Sequence, residues 1–435
     1  MCFLFARPDL FIGGFMKKQR WKSADPYHLF LLTLFVFTAA AFAADSPADI
    51  LRGLKVIFLS PGRLTTDYIA VGGLGAALIN AVITGLFSLG VTKYAKIKPN
   101  GATIMAIWLT IGFSFFGKNI LNMLPIVGGA WLYSKYQKEP FSNYSLVSLL
   151  ATTLAPVISE LSSAGTNNPL IGLSLAVLFG LVLGFLMPII SAATNRVHGG
   201  YDLYNVGFAG GVLAFFIVAF RNNFGLHIAE RNVISGDNNL FLAIVVYLLC
   251  ILWCCFSALS DKPLRKILQT QKKIYSHSGR LVSDYYLLYG HSTYLNMGLL
   301  GILGTTVTLL LGAQLNGVTL AGIFTMVGFG AFGKHPKNCI PPIVGAILFA
   351  CINHSPLNTG NNIVAILFCT GLAPIAGQYG WVWGLVAGML HSAVVAQAAI
   401  FTGGLNLYNN GFAAGFVALV LVPIILAFRK GRIKS

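Results

Sequence analysis

Leu203-Tyr204-Asn205-Val206-Gly207-Phe208-Ala209-Gly210-Gly211 returns near the C-terminus as Leu407-Tyr408-Asn409-Asn410-Gly411-Phe412-Ala413-Ala414-Gly415. This match closes a longer series that keeps its order. Gly62-Arg63-Leu64 with Asp67-Tyr68 matches Gly279-Arg280-Leu281 with Asp284-Tyr285, and Asn80 matches Asn296. Asn100-Gly101-x-Thr103 matches Asn316-Gly317-x-Thr319, and Phe116-Gly117-Lys118 matches Phe332-Gly333-Lys334. Asn122 and Asn338 follow, then Pro125-Ile126-Val127-Gly128 with Pro342-Ile343-Val344-Gly345, and Leu154-Ala155-Pro156 with Leu372-Ala373-Pro374. Chance gives one such match, not a series in register. Residues 58–221 and 275–428 are therefore copies of one unit. A basic N-terminal segment and first helix (1–57), a connecting helix and basic loop (222–274) and a basic tail (429–435) complete the chain.

Composition sets the solvent of that unit. Only 9% of the residues are charged and 56% are hydrophobic, whereas a soluble domain carries roughly 25% charged residues. Apolar segments fall at 28–44, 68–92, 101–116, 120–135, 145–160, 168–193, 205–220 and 239–260. They continue at 286–312, 318–333, 340–354, 361–376, 379–400 and 410–428. Continuous apolar runs, without the alternation of a membrane strand, predict helical spans and exclude a barrel. Several runs are so short that a helix would reach only about 24 Å of a hydrocarbon core of about 30 Å. Short, Gly- or Pro-interrupted segments at corresponding places in two halves point to a transporter's binding site.

The net charge of +17 would suggest nucleic acid in a soluble chain. In a polytopic one it marks cytoplasmic loops. With Lys17, Lys18, Arg20 and Lys22 inside, alternate threading leaves only Arg52, Lys55, Arg63, Lys118, Arg221 and Arg231 of the 29 basic residues outside. The motif at 62–68 then begins on the outer face and its copy at 279–285 on the inner face. The expected fold is all-α: a polytopic membrane protein of two inverted-topology repeats, each of about six helical segments, with short or re-entrant helices. The expected location is the inner membrane of a bacterium, with both termini cytoplasmic. Ala41-Phe42-Ala43 resembles a signal-peptidase site, and the competing reading, carried forward here, is an uncleaved first helix.

Candidate solute-binding residues follow from the repeat. The hairpins 101–135 and 318–354 turn at Gly117-Lys118-Asn119 and Gly333-Lys334-His335. Either they are re-entrant, with Lys118 and Lys334 at buried helix termini that favour an anion, or they are thin spanning pairs with a solvated lysine at the turn. Asn122 and Asn338 stand just beyond the tips. Tyr204-Asn205 and Tyr408-Asn409 precede glycine-rich helices, and they either contact solute or cap a helix. Asn80 and Asn296 lie inside glycine-rich helices, where a buried amide binds either another helix or solute. The Leu-Ala-Pro steps break their helices and free carbonyls. Asp67 and Asp284 open matching helices one turn after Arg63 and Arg280, as ion pairs or caps, or else as ion-coupling groups. Asp202 faces Asn406 across the repeat, so the repeat does not require a carboxylate there.

Other chemistry lacks its residues. The chain has just 12 acidic residues, and none is placed at the centre of a span. No complete Gly-x-x-x-x-Gly-Lys-Ser/Thr loop occurs, because Asn119 and His335 stand where the hydroxyl belongs. The seven cysteines have no metal-type spacing, and there is no Ser-His-Asp set. The reading is a non-enzyme without metal or cofactor.

The Leu-Tyr-Asn-x-Gly-Phe-Ala-x-Gly, Pro-Ile-Val-Gly and Gly-Arg-Leu-x-x-Asp-Tyr motifs resemble an uncharacterised bacterial multi-pass family, a domain of unknown function, over about residues 45–428. Asn167-Asn168-Pro169-Leu170-x-Gly172, with Tyr204-Asn205 before a glycine helix, is similar to elements of the urea transporters. The Asn-Asn-Pro element is not repeated, however, and that family's Leu-Pro-Phe-type pore motif is absent. The resemblance implies a channel-like facilitator of a neutral solute. The repeat itself points to a secondary transporter for a small polar or anionic solute, and a membrane scaffold is the third reading. The expected partners are the lipid bilayer and a small solute, with a homo-oligomer open and nucleic acid excluded.

Overall fold

The computed structural model describes residues 26–62, 66–163, 169–226, 228, 232–258, 263–280 and 283–433. The expectations placed on Lys17, Lys18, Arg20, Lys22, Arg63, Leu64, Asn167, Asn168, Arg231, Lys262, Leu281 and Lys434 lie outside the described residues.

The first half runs α1 (Pro26–Ala44), α2 (Pro47–Leu59), α3 (Tyr68–Gly72), α4 (Leu74–Tyr94), α5 (Gly101–Phe113), α6 (Ile120–Tyr136), α7 (Ser145–Ala151), α8 (Ala155–Ser163), α9 (Pro169–Val197) and α10 (Asn205–Asn223). A connecting pair follows, α11 (Asn239–Ala258) and α12 (Leu264–Ile274). The second half runs α13 (Tyr285–Tyr289), α14 (Thr293–Leu310), α15 (Gly317–Phe329), α16 (Pro336–Ile352), α17 (Gly360–Phe368), α18 (Ala373–Tyr379), α19 (Trp381–Thr402) and α20 (Asn409–Ile433). Among the described residues there is no strand, and ten helical stretches are long and apolar enough to cross a bilayer. The chain is a multi-pass, all-α membrane protein.

Its centre is the pair of short helices. Asn100 caps α5 by accepting from Thr103 N–H, and Asn316 caps α15 by accepting from Thr319 N–H, which explains the repeated Asn-Gly-x-Thr. Thirteen residues make each helix about 20 Å long. All of α15 is buried, and so is all of α5 except Ala102. Gly101 at the start of α5 lies against Ala331 beyond the end of α15, and Gly317 lies against Phe115. The two helices therefore run antiparallel, each reaching the other's tip. Aromatic rings wedge around them: Phe37 of α1 packs on Phe115 and Phe324, with ring centroids 5.8 Å apart in each case, and Trp108 meets Trp253 of α11 at 4.5 Å.

The long helices are clamped by glycines in the same way in both halves. A Cβ on Gly129 of α6 would strike Leu181 O of α9, and one on Gly345 of α16 would strike Leu385 O of α19. Gly184 and Gly388 return the contact onto Ile126 O and Pro342 O. These contacts correct the sequence alignment. Gly345 is the counterpart of Gly129, not Gly128, so the Pro-Ile-Val-Gly match is one residue out of register. Backbone contact sets the true register, and the shared letters are coincidental.

Apolar scanning missed α2 and α12. Each has one apolar edge and a basic face, so neither forms a continuous apolar run. The segments at 145–160 and 361–376 are broken by 3₁₀ turns at Thr152–Leu154 and Cys369–Leu372, just ahead of Pro156 and Pro374. The freed carbonyls are taken by the opposite half: Thr153 O accepts from Leu407 N–H at 2.9 Å, and Gly371 O accepts from Leu203 N–H at 3.0 Å. The breaks thus carry the Tyr-Asn segments.

Candidate functional site

Each hairpin tip is built to aim one lysine inward. The turn needs a positive φ, which glycine supplies at Gly117 (84°) and Gly333 (101°). Asn80 Nδ2 donates to Ser114 O (2.7 Å) and Lys118 O (2.8 Å), and Asn296 Nδ2 donates to Gly330 O (2.7 Å) and Lys334 O (2.8 Å). Asn122 accepts from Asn119 N–H and donates to Gly117 O, both at 2.9 Å. Asn338 accepts from His335 N–H at 2.9 Å and donates to Gly333 O at 3.0 Å. These four asparagines direct their amide N–H groups at the tips, one layer behind the lysines, while Asn296 Oδ1 accepts from Gln271 and Asn80 Oδ1 has no partner among the described residues.

The lysines then cross to the opposite half. Lys118 Nζ donates to Tyr408 Oη at 2.6 Å. Lys334 Nζ donates to Tyr204 Oη and, at 2.8 Å, to Thr370 Oγ1. Each ammonium also stands over the same tyrosine's ring, 4.6 Å from the Tyr408 centroid and 4.4 Å from that of Tyr204. Both lysines are fully buried, so the solvated-turn reading does not hold, and neither belongs among the loop charges that orient the chain. An ammonium has three N–H donors. In the protonated form, and among the described residues, Lys334 uses two of them and Lys118 one, so three remain unspent between the pair.

A cavity of about 60 Å³ lies between the halves, lined by Tyr204, Tyr408, Phe113, Phe329, Phe368 and Leu150 among others. It has room for about four waters or a solute of a few heavy atoms. The tyrosines stand between it and the lysines. Tyr408 Oη accepts from Lys118 and makes no other bond among the described residues, so its own O–H is uncommitted. Gly207 lies against Tyr408 and Gly411 against Tyr204, bringing the starts of α10 and α20 together at this point.

The side-chain amides of the Tyr-Asn pairs bond to the preceding helix, although Asn205 also lines the cavity. Asn205 donates to Ser191 O and Oγ at 2.9 Å and accepts from Thr194 Oγ1 at 2.8 Å, while Asn409 accepts from Thr402 Oγ1 at 2.8 Å. They tie each motif to the helix before it. Asp67 and Asp284 are helix caps: Asp67 caps α3 and Asp284 caps α13. Arg280 leaves Asp284 for Gly199 O at 3.1 Å and the face of Tyr201. Sequence reasoning missed Thr370, although Thr152-x-Leu154-Ala155-Pro156 and Thr370-x-Leu372-Ala373-Pro374 share that threonine. It also left Asp202 on a loop, whereas the folded loop buries it. No group of three or more His, Cys, Asp or Glu side chains fit to hold a metal occurs among the described residues.

Against known proteins, the profile described as a protein of unknown function (DUF1576) matches residues 46–223 and again 264–427. The chain belongs to that family. The two matches cover nearly all of both repeats and also take in α2 and α12, and the crossed site draws one lysine and one tyrosine from each match. Searches of curated proteins and of solved structures find no match.

Proposed function

We propose that this member of the DUF1576 family is a secondary membrane transporter for a small polar or anionic solute, which passes between its two halves by alternating access. One observation carries the reading: two buried ammoniums with unspent donors, each held by a tyrosine of the opposite half, flank a cavity on the boundary between the repeats. A buried charge without an ion-pair partner is costly and marks solute or ion pathways in membrane proteins. The antiparallel α5 and α15 support two repeats of inverted topology, whose hairpins enter from opposite faces of the membrane. The basic loops support an inner-membrane orientation with both termini cytoplasmic.

The phenylalanine-rich wall favours a second reading, a channel-like facilitator of a neutral solute such as urea. Purified protein in liposomes separates the readings by stopped-flow light scattering with nitrate, formate or urea gradients. Flux that requires a proton or sodium gradient supports the transporter, and flux indifferent to both supports the facilitator. Liposomes no more permeable than protein-free ones to every solute tested would leave a scaffold as the better account.

A further inference from the structure

The two halves differ in one charge at their equivalent positions beside the site. Asn406 in the second half satisfies its whole amide: Oδ1 accepts from Thr153 Oγ1 at 2.6 Å and from Tyr408 N–H at 3.3 Å, while Nδ2 donates to Gly207 O at 3.0 Å. Its counterpart is Asp202. Oδ1 does the same local work, accepting from Tyr204 N–H at 2.8 Å. Oδ2, standing where the amide nitrogen would be, has no hydrogen-bond partner, and the residue is 3% exposed. An asparagine would therefore serve the fold at least as well. The carboxylate is present for something other than the turn.

Its neighbours say what. Tyr204 joins it to Lys334 on the second hairpin tip: the Tyr204 N–H donates to Asp202 Oδ1, and the Tyr204 hydroxyl accepts from Lys334 Nζ. His198, at the end of α9, accepts from Asp202 N–H on Nδ1 (3.3 Å) and donates from Nε2 to Asn205 Oδ1 (2.9 Å), so both of its ring nitrogens are spent. Tyr204 shares the loop, and Cys339 of α16 and Cys369 of the second helix break flank Lys334 and Tyr204. Beyond them, Tyr201 stacks on Tyr379 with Arg280 and Arg429 over the rings. Lys334 thus offsets Asp202 at a distance, through Tyr204 and without a direct ion pair, when no solute is bound. An anion drawn to Lys334 and Tyr204 competes for that balance and leaves a desolvated, uncompensated carboxylate.

Resting on the transporter reading above, we propose that Asp202 is the proton site of the cycle, taking one proton from bulk water onto Oδ2 as a small monovalent anion binds at Lys334. The anion and the proton enter together, so the charge of the site is unchanged. The Lys118 side carries Asn406 and has no such group, so proton coupling is confined to the half-site of Lys334.

The test uses the purified full chain with nitrate as the probe, and chloride, thiocyanate and formate in parallel. Anion binding is read by calorimetry at several pH values, and proton uptake by an indicator dye in weak buffer. For the wild type, uptake should approach one proton per nitrate, and affinity should weaken as pH rises, by up to about tenfold per unit. Asp202→Asn carries the residue that the other half already uses. It should still bind nitrate, with a shallower pH profile and less proton uptake than the wild type. Nitrate binding to the wild type without proton uptake, or an unchanged pH slope in D202N, overturns the role of Asp202 while leaving the anion site standing. If none of the four anions binds, the anion site itself falls and takes this proposal with it.

Discussion

Asp284 accepts the backbone N–H of Gly101 with both carboxylate oxygens, at 2.9 Å each, and so caps a helix in the opposite half. Asp67 stands against Gly317 in the mirrored position. Each aspartate also caps its own short helix, with Ile69 N–H donating to Asp67 and Leu287 N–H to Asp284 at 2.8 Å. The halves are thus latched by two carboxylates, each bridging the start of one short helix to the loop beside the other's tip.

Removing a latch should loosen the whole protein. Asp284→Ala loses an N-cap and strands a buried amide, together about 2–4 kcal/mol. Asp284→Asn keeps one acceptor and should cost roughly half as much. Thermal unfolding in detergent reads the order wild type, D284N, D284A. An unchanged melting temperature for D284A would mean that the latch contributes nothing to the union of the halves.

The lysines predict a functional loss that stability does not mirror. Lys118→Met removes a buried charge that faces no carboxylate, so the fold should be as stable as the wild type or more so, whereas Lys334→Met also takes from Asp202 the cation that offsets it and keeps that stability only when combined with D202N. Nitrate affinity should nonetheless drop, by about 10- to 100-fold for each charge-assisted hydrogen bond to the anion that the variant can no longer make. Thermal-shift titration with nitrate measures both quantities on one sample. Equal nitrate effects in wild type and both variants would remove the lysines from the site.

Much of this arrangement was legible in the sequence, because a duplicated chain announces its own symmetry. Gly117 and Gly333, Asn80 and Asn296, and Tyr204 and Tyr408 stand out by recurring, and recurrence reflects a shared local geometry. What the sequence could not give was partnership. Asn80 and Asn296 serve the tips because a carbonyl freed by the turn lies opposite them, and no spacing rule reveals that. Asp202 was set aside because Asn406 stands at its place in the other copy, and no spacing shows that the loop folds inward, where Leu203 N–H pairs with Gly371 O and the carboxylate is buried. The shift from Gly128 to Gly129 has a similar cause: helix crossing selects the glycine that faces the neighbour.

That crossing is testable by itself. At Gly345 and Gly388 the two backbones touch, so any side chain must push α16 from α19. Gly345→Val should cost about 1–3 kcal/mol or more through overpacking. Gly128→Val, where the nearest atom to a new Cβ is the flexible end of Leu181 at 3.3 Å, should be tolerated far better. Reversing that ranking in a detergent-stability assay would restore the sequence alignment in place of the structural one.

Orientation decides whether the halves are inverted across the bilayer. Gln137 and Asn353 end the equivalent helices α6 and α16, and both are exposed. The end of α6 carries Lys135 in its last turn and Lys138 just beyond it, whereas Asn353-His354-Ser355 after α16 has no lysine or arginine, as the positive-inside rule expects for opposite faces. Cysteines introduced one at a time at the two positions, in a chain whose Cys2, Cys254, Cys255 and Cys351 are replaced by serine and whose other cysteines are buried, should react with an impermeant maleimide from opposite sides of the membrane. Gln137→Cys should label only in inside-out vesicles, and Asn353→Cys only in intact cells. Labelling of both from one side would make the repeats parallel, and the antiparallel contact of α5 with α15 would then have to arise from two hairpins entering through the same face. A hairpin of about 20 Å cannot do this while burying the start of one short helix against the tip of the other. The labelling result therefore tests the membrane assignment and the packing of the central pair together.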